Sequence, residues 1–185
     1  KGHPEPEGVM GNVKKSSIKL IQSEIEALNV EPPQAEKLIV LTQTTLGFDD
    51  TKKIITTLKN RFPKLILPPA FDICYATQNR QIAVKSLSKK VELVIIIGSP
   101  ASSNSNRLRE VAEREGKKAF TIDNINSIKN EWFNGISNVG ISAGASSPEK
   151  LVQEVINYIK NKNTKIYEEH IIKEKVYFPR PSNLN

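Results

Sequence analysis

Apolar and polar residues along the chain form blocks that predict strands followed by helices. Residues 91–97 are the clearest strand, because this β-branched apolar run has the length and composition of a parallel strand covered on both faces. The other predicted strands are 17–21, 37–41, 119–122 and 139–143, with a short apolar run at 64–67. The predicted helices are 24–28, 49–62, 76–87, 107–115, 128–133 and 148–159. Repeated βα units of this kind predict the α/β class, with parallel sheets flanked by helices.

Composition narrows the class of protein. The 185 residues are 38% hydrophobic and 25% charged, which is typical of a globular domain, and no apolar run has the length of a membrane span. The net charge of +7 could attract nucleic acid or small anions such as phosphates. Because the lysines are scattered and are not interleaved with aromatic residues, nucleic acid is not the predicted partner.

Two predicted loops carry the chemistry of an anion site. Ser102, Ser103 and Asn104 follow the strongest strand, and Ser146 follows the strand at 139–143. In parallel α/β sheets, ligands bind beyond the carboxyl ends of the strands, where helix N-termini present unpaired N–H groups. Either loop alone would be explained by ordinary helix capping, whereas two such loops on one sheet predict a phosphate-binding site. A Gly-Lys-Ser/Thr run and a G-x-G-x-x-G run are both absent from the sequence, so nucleotide binding is not predicted.

Four further residues are ambiguous when each is considered alone. Cys74, the single cysteine, could be a small buried hydrophobic residue, although it lies just after Pro68-Pro69 at the start of a helical pattern. His3 and Glu5 flank a proline and could belong to an ordinary surface turn, or could bind an anion and carry a proton. Threonine is common at strand ends, so Thr44 alone does not indicate a function.

In combination these segments resemble 4-hydroxy-3-methylbut-2-enyl diphosphate reductase, the LytB family, an iron–sulfur enzyme of non-mevalonate isoprenoid biosynthesis. The resemblance extends from Gly2 to Pro181 and rests on five motifs. They are Gly-His-Pro-Glu at 2–5, Thr-Gln-Thr-Thr at 42–45, Cys-Tyr-Ala-Thr-Gln-Asn-Arg-Gln at 74–81, Ser-Ser-Asn-Ser-Asn-Arg-Leu at 102–108, and Gly-Ala-Ser at 144–146 with Pro-Glu at 148–149.

The resemblance implies two αβα lobes of a three-lobed, pseudo-threefold protein. Residues 1–72 would form the second lobe, incomplete at its start, residues 73–163 the third lobe, and residues 164–185 a C-terminal extension. It also implies a [4Fe–4S] cluster held by three cysteines, one in each lobe. Cys74 matches the cluster ligand of the last lobe, so the two further cysteine ligands are expected outside this chain.

The resemblance also implies roles for the polar residues. Glu5 matches the residue that delivers protons to the substrate hydroxyl, and Thr44 matches its hydroxyl partner. The matches to diphosphate-binding positions are His3, Ser102, Ser103, Asn104 and Ser146, with Thr77 a further contact. The implied reaction removes the hydroxyl group of an allylic diphosphate with two electrons and two protons, giving isopentenyl and dimethylallyl diphosphates.

The implied electron donor is a ferredoxin or a flavodoxin. The implied compartment is a bacterial cytoplasm or a plastid-type organelle, such as an apicoplast or a chloroplast stroma. Two other classes stay open on the residues alone. A non-catalytic phosphate- or sugar-phosphate-binding α/β module would use the serine loops without Cys74, and a basic nucleic-acid-binding domain would use the positive charge.

Overall fold

A computed structural model describes residues 2–33, 37–67 and 74–160, with the backbone alone described at Phe48. Four α-helices come first, and strands and helices alternate in the later part of these residues. The α-helices are α1 (Pro4–Gly11), α2 (Glu24–Asn29), α3 (Phe48–Arg61), α4 (Tyr75–Ser88), α5 (Ser103–Arg114) and α6 (Glu149–Lys160). The strands are β1 (Leu93–Ile97), β2 (Lys118–Ile122) and β3 (Val139–Ala143), and short 3-10 helices lie at Lys15–Ser17, Ile125–Ser127 and Asn130–Phe133.

The three strands form a parallel sheet in the order β2-β1-β3, which confirms the predicted α/β class. Leu93 pairs with Lys118 on one side and with Val139 on the other, and the register runs without a bulge to Ile97. All five residues of β1 are fully buried, as expected for a central strand between two layers of helices.

The two faces of β1 support two separate cores. Val94 and Ile96 pack with residues of α4 and α5, including Val84 and Leu108. Leu93, Ile95 and Ile97 pack on the opposite face with β2 and α6, a cluster that includes Val155. The alternation of side chains along a strand therefore builds an αβα arrangement around β1.

A smaller core lies in the N-terminal part of the chain. Ala27 of α2 and Leu58 of α3 are buried there, together with Leu65. The predicted buried strand at 37–41 is wrong in part: it makes a single parallel bridge, between Ile39 and Ile66, and the side chain of Ile39 is 63% exposed. Its other face, including Val40, packs on this core, so the segment is covered on one side within the described residues.

Three other predictions need correction. Residues 17–21 form no strand, because Ser17 ends a 3-10 turn and the following extended backbone has no ladder partner among the described residues. Residues 128–133 form a 3-10 turn at Asn130–Phe133 instead of an α-helix. Helix α5 begins at Ser103, four residues earlier than predicted, because Ser102 caps it by accepting a hydrogen bond from the Ser105 N–H.

The remaining helices are confirmed to within one or two residues. Ser23 caps α2 as predicted, and Asp49 and Asp50 lie in the first turn of α3, where carboxylates favour the positive end of the helix dipole. The predicted boundary between residues 72 and 73 and the predicted extension at 164–185 lie outside the described residues. Among the described helices, none is both long enough and apolar enough to cross a membrane.

Candidate functional site

One serine loop follows β1 and the other follows β3, and both begin at the carboxyl edge of the sheet. The N–H of Gly144 donates to the carbonyl of Ile97 at 2.8 Å, and the Ser147 hydroxyl donates to the same carbonyl at 2.7 Å. On the other side, the Gly98 N–H donates to the Ile122 carbonyl at 2.8 Å. These bonds extend the sheet by one step, so both loops leave the sheet at one edge, as the sequence predicted.

Ser105 separates the two loops and leaves no room for a side chain on either. A Cβ atom at Gly98 would lie 2.2 Å from the Ser105 Oγ, and a Cβ atom at Gly144 would lie 2.6 Å from the same oxygen. Gly98 also has a φ of +157°. Because Ser105 is 1% exposed and cannot move into solvent, a side chain at either position would force Ser105 or the loops to shift, so glycine lets the loops approach each other.

The first turn of α5 presents most of the predicted anion ligands. Ser102 and Ser103 are half-buried, whereas Asn104 is 8% exposed. The Asn104 Oδ1 has no hydrogen-bond partner among the described residues, and its amide nitrogen lies 3.6 Å from the position that a Cβ atom on Gly144 would occupy. A buried polar atom without a partner calls for a specific explanation, and a bound ligand or water is one. Ser146, on the neighbouring loop, is exposed.

Glu5 and Thr44 are in direct contact although they are 39 residues apart. One carboxylate oxygen of Glu5 accepts from the Thr44 N–H at 3.0 Å, and the other accepts from the Thr44 hydroxyl at 3.2 Å. His3 caps α1, because its Nδ1 accepts from the Glu5 N–H at 3.2 Å. Since Nδ1 accepts a hydrogen bond, the ring hydrogen lies on Nε2, which can donate it to an anion.

Cys74 lies at the N-terminal end of α4 with its side chain exposed. Its N–H donates to the Thr44 carbonyl at 3.1 Å, and its thiol makes no capping hydrogen bond to the helix. The same residue, Thr44, therefore contacts both the predicted proton donor and the predicted cluster ligand. Thr77, one turn further along α4, is 3% exposed and so presents little surface to a ligand in this structure.

Two contacts between distant segments were not predicted from the sequence. The Thr45 hydroxyl lies 2.9 Å from the Ser103 hydroxyl, and the Gln43 amide donates to Thr45 at 2.9 Å. The buried Gln81 side chain of α4 donates to the Leu46 carbonyl at 2.9 Å. All four polar residues occur in the motifs quoted above, but neither their spacing nor their type indicates which partners they contact.

Two ion pairs join the start of α3 to the helices that follow Cys74 and Ser102. Lys85 of α4 pairs with Asp49 at 3.0 Å, and the hydrogen bond and charge of that carboxylate raise the pKa of Lys85. Arg114 of α5 pairs with Asp50 at 2.8 Å, and the hydrogen bond to Asp50 raises the pKa of Arg114.

An open cleft of about 370 Å³ lies among α3, α4 and α5. Four cations line it. Lys85, Arg107 and Arg114 each have a carboxylate partner, which for Arg107 is Glu110 at 2.5 Å, and the fourth cation is Lys89. Because most of its positive charge is already paired, this cleft is a poorer anion site than the serine loops.

The described part of the chain contains no group of three or more His, Cys, Asp or Glu side chains that could hold a metal ion. A single exposed thiol that is free of helix-capping bonds fits one ligand of an iron–sulfur cluster, because such clusters are bound through cysteine thiolates. The remaining ligands of a cluster would have to come from outside this chain, which has one cysteine.

Comparison with known proteins relates this geometry to one family. The model of the family described as LytB protein matches residues 1–160. The 4-hydroxy-3-methylbut-2-enyl diphosphate reductase of Acinetobacter baylyi is 50% identical over 165 residues, covering 86% of this chain and 52% of that protein. The enzyme of the same name from a Polaromonas species is 46% identical over 185 residues, covering 100% of this chain and 55% of that protein.

A solved structure gives the same result for the fold. The E-1-hydroxy-2-methyl-but-2-enyl-4-diphosphate reductase from Plasmodium falciparum superposes with a TM-score of 0.81 at 27% identity, covering 95% of this chain and 57% of that protein. The chain thus spans about half the length of the curated relatives it matches. Because the family model matches most of its residues, the chain belongs to the LytB protein family.

Proposed function

We propose that this chain is part of a 4-hydroxy-3-methylbut-2-enyl diphosphate reductase, which replaces the substrate hydroxyl by hydrogen to give isopentenyl and dimethylallyl diphosphates. The observation that carries the proposal is the double contact of Thr44. Its N–H and hydroxyl hold the Glu5 carboxylate, while its carbonyl accepts from the N–H of Cys74. In this proposal, the proton donor and the metal-binding thiol lie on the two sides of one residue.

In this proposal the serine loops bind the diphosphate. Ser102, Ser103, Asn104 and Ser146 donate hydrogen bonds to its oxygens, and His3 donates from Nε2. Hydrogen bonds to a charged group contribute roughly 1.5–3 kcal/mol each, so a few of them can hold the diphosphate and fix the position of the carbon chain. Thr77 is a further contact in this proposal. Because its side chain is 3% exposed, the residues that cover it would have to move for it to reach the substrate.

Glu5 then protonates the hydroxyl group that leaves. Expulsion of hydroxide is difficult, and protonation lets the oxygen leave as water. Thr44 bonds the Glu5 carboxylate through its hydroxyl and can pass a proton between Glu5 and the substrate. Overall, the C–O bond breaks, a C–H bond forms, and two electrons and two protons are consumed.

Cys74 would supply one ligand of a [4Fe–4S] cluster, with two further cysteines from outside this chain. When bound, the cluster supplies the two electrons, which it receives from a ferredoxin or a flavodoxin. We further propose that residues 1–72 and 73–163 form separate lobes that meet at this site. The bacterial origin of both sequence relatives supports a bacterial cytoplasm as the compartment.

Glu5→Gln in the complete, anaerobically purified protein tests the catalytic role. We expect turnover to fall by about 10²- to 10⁴-fold, because glutamine keeps the shape of the side chain and cannot supply a proton. Substrate affinity and the visible absorption of the cluster should stay near those of the unmodified protein. Glu7→Gln is the control, since Glu7 is exposed in the same first turn of α1.

Near-normal turnover of the Glu5→Gln variant would refute the role of Glu5. A non-catalytic phosphate-binding module is the alternative, and it requires neither iron nor turnover. Iron and sulfide contents near zero in the anaerobically purified complete protein would favour that alternative.

A further inference from the structure

A row of three polar side chains links the loop at 42–47 to the first turn of α5. The Gln43 Nε2 donates to the Thr45 Oγ1 at 2.9 Å, and the Thr45 Oγ1 lies 2.9 Å from the Ser103 Oγ. Thr45 and Ser103 are 58 residues apart and both are half-buried. The row therefore joins the loop at 42–47 to α5, although the two segments are far apart in the sequence.

The direction of the hydrogen bonds along this row determines what Ser103 can do. Each hydroxyl has one hydrogen to donate. Because the Thr45 oxygen accepts from Gln43, its own hydrogen can be directed to the oxygen of Ser103. The hydrogen of Ser103 is then left for another acceptor. If Ser103 instead donated to Thr45, it would have no hydrogen for an anion.

The hydroxyl hydrogen of Ser102 is also left for another acceptor, because a backbone N–H bonds the Ser102 oxygen. Its oxygen accepts from the Ser105 N–H at 3.3 Å, which leaves its hydroxyl hydrogen free as well. Both adjacent serines therefore have a hydroxyl hydrogen that can be donated to an anion, but different groups bond their oxygens. Ser102 depends on its own helix, and Ser103 depends on Thr45 from the other segment.

Thr45 also follows directly after the residue that holds Glu5 and accepts from Cys74. Its bond to Ser103 therefore fixes the distance between the loop that holds Glu5, the proposed proton donor, and the loop that binds the proposed diphosphate. Hydrogen bonds in such a row also strengthen one another, because each donor is polarised by the bond that it accepts.

We propose that Thr45 is a positioning residue for the diphosphate, which donates to the Ser103 oxygen, leaves the Ser103 hydrogen directed at the anion, and holds the two loops together. The inference rests on the proposed function and adds to it a residue that does not itself touch the substrate. A threonine that serves only to fill space would not need its hydroxyl, so the hydroxyl is the group to test.

The experiment measures the affinity of the complete protein for inorganic pyrophosphate by titration calorimetry, together with kcat and KM. The variants are Thr45→Val, Thr45→Ser, Ser103→Ala and the double variant Thr45→Val/Ser103→Ala. One neutral hydrogen bond corresponds to about a 2- to 12-fold change in affinity. We expect Thr45→Val to weaken pyrophosphate binding by that factor, and to raise KM with little change in kcat.

Thr45→Ser should bind within about 2-fold of the unmodified protein, since serine restores the hydroxyl. The double variant should bind no more weakly than Ser103→Ala alone, because Thr45 acts through Ser103. Thr56→Val is the control: it removes a hydroxyl that bonds the Lys52 carbonyl within α3, on the exposed surface, and should leave the affinity unchanged. Thermal unfolding of each variant separates loss of binding from loss of structure, and Thr45→Ala replaces Thr45→Val if the valine variant does not fold.

Three results would overturn the inference while leaving the proposed function in place. The first is an unchanged affinity for pyrophosphate in Thr45→Val. The second is an equal loss of affinity in Thr45→Ser and Thr45→Val. The third is a double variant that binds more weakly than Ser103→Ala by the same factor that Thr45→Val loses alone. If the unmodified complete protein binds no pyrophosphate, the proposed function fails, and the inference fails with it.

Discussion

Gly144 offers a quantitative test of the close packing between the two serine loops. An alanine Cβ at this position would lie 2.6 Å from the Ser105 Oγ, whereas the next nearest atom, the Ser147 Oγ, is 3.3 Å away. Real contacts to a Cβ atom are almost never shorter than 3.0 Å, so Gly144→Ala forces Ser105 or the loop to move. Overpacking of a buried site costs roughly 1–3 kcal/mol of unfolding free energy.

A double-mutant cycle shows whether Ser105 is the cause. Replacing Ser105 by alanine removes the oxygen that clashes, and the remaining contact at 3.3 Å needs an adjustment of only a few tenths of an ångström. We therefore expect Gly144→Ala to cost much less in the Ser105→Ala background, with a coupling of about 1–2 kcal/mol between the two sites. The unfolding free energy is measured by urea denaturation followed by circular dichroism.

Gly8→Ala is the matched control for this cycle. Gly8 lies in α1 with nothing within 4 Å of the position of the added Cβ atom. Alanine is the better helix former by roughly 0.5–1 kcal/mol, so this variant should be neutral or slightly more stable. The packing argument is refuted if Gly144→Ala is as stable as the unmodified chain, or if its cost is the same with and without Ser105.

Two further predictions concern Cys74 and Lys85. In the complete protein, Cys74→Ser should lower the iron content and abolish reduction, because a serine hydroxyl is a poor substitute for a thiolate ligand of iron; full iron content together with full activity would refute the ligand assignment. The pKa of Lys85 is raised in the folded chain by its hydrogen bond to Asp49, so the stability from this pair is fully present below about pH 10.5 and is lost as the pH rises through the folded-state pKa. The unfolding free energy, measured by urea denaturation, should therefore fall more between pH 9 and pH 11 in the unmodified chain than in Lys85→Met. The difference should be roughly 0.2–1 kcal/mol for so exposed a pair, and equal falls would contradict the linkage.

The sequence predicted those features that depend on local pattern. The β-branched run of β1 indicated a strand, because a strand that is buried on both faces is apolar at every position. The spacing of apolar residues in α3 indicated a helix, because a helix that is buried on one face is apolar at every third or fourth position. The start of α5 was less accessible to prediction. Several serines in 99–105 could each cap a helix, and only the bond from Ser105 to Ser102 identifies which of them does so.

The candidate site depended on contacts that no local pattern contains. The bond between Glu5 and Thr44 joins residues 39 apart, and that between Thr45 and Ser103 joins residues 58 apart. The family resemblance pointed to Thr44 and Ser103 but did not show that Thr45 connects the two loops. The one-sided burial of residues 37–41 was also not predictable, since the apolar run looks the same whether one face or both are covered.

The loop at 42–47 has a consequence for which changes of length the chain can accept. Successive residues of this loop make hydrogen bonds to distant parts of the chain. Thr44 bonds Glu5 and Cys74, Thr45 bonds Ser103, and Leu46 bonds Gln81. An inserted residue would shift at least one of these attachments by about 3.8 Å, the spacing of consecutive Cα atoms, which is longer than a hydrogen bond.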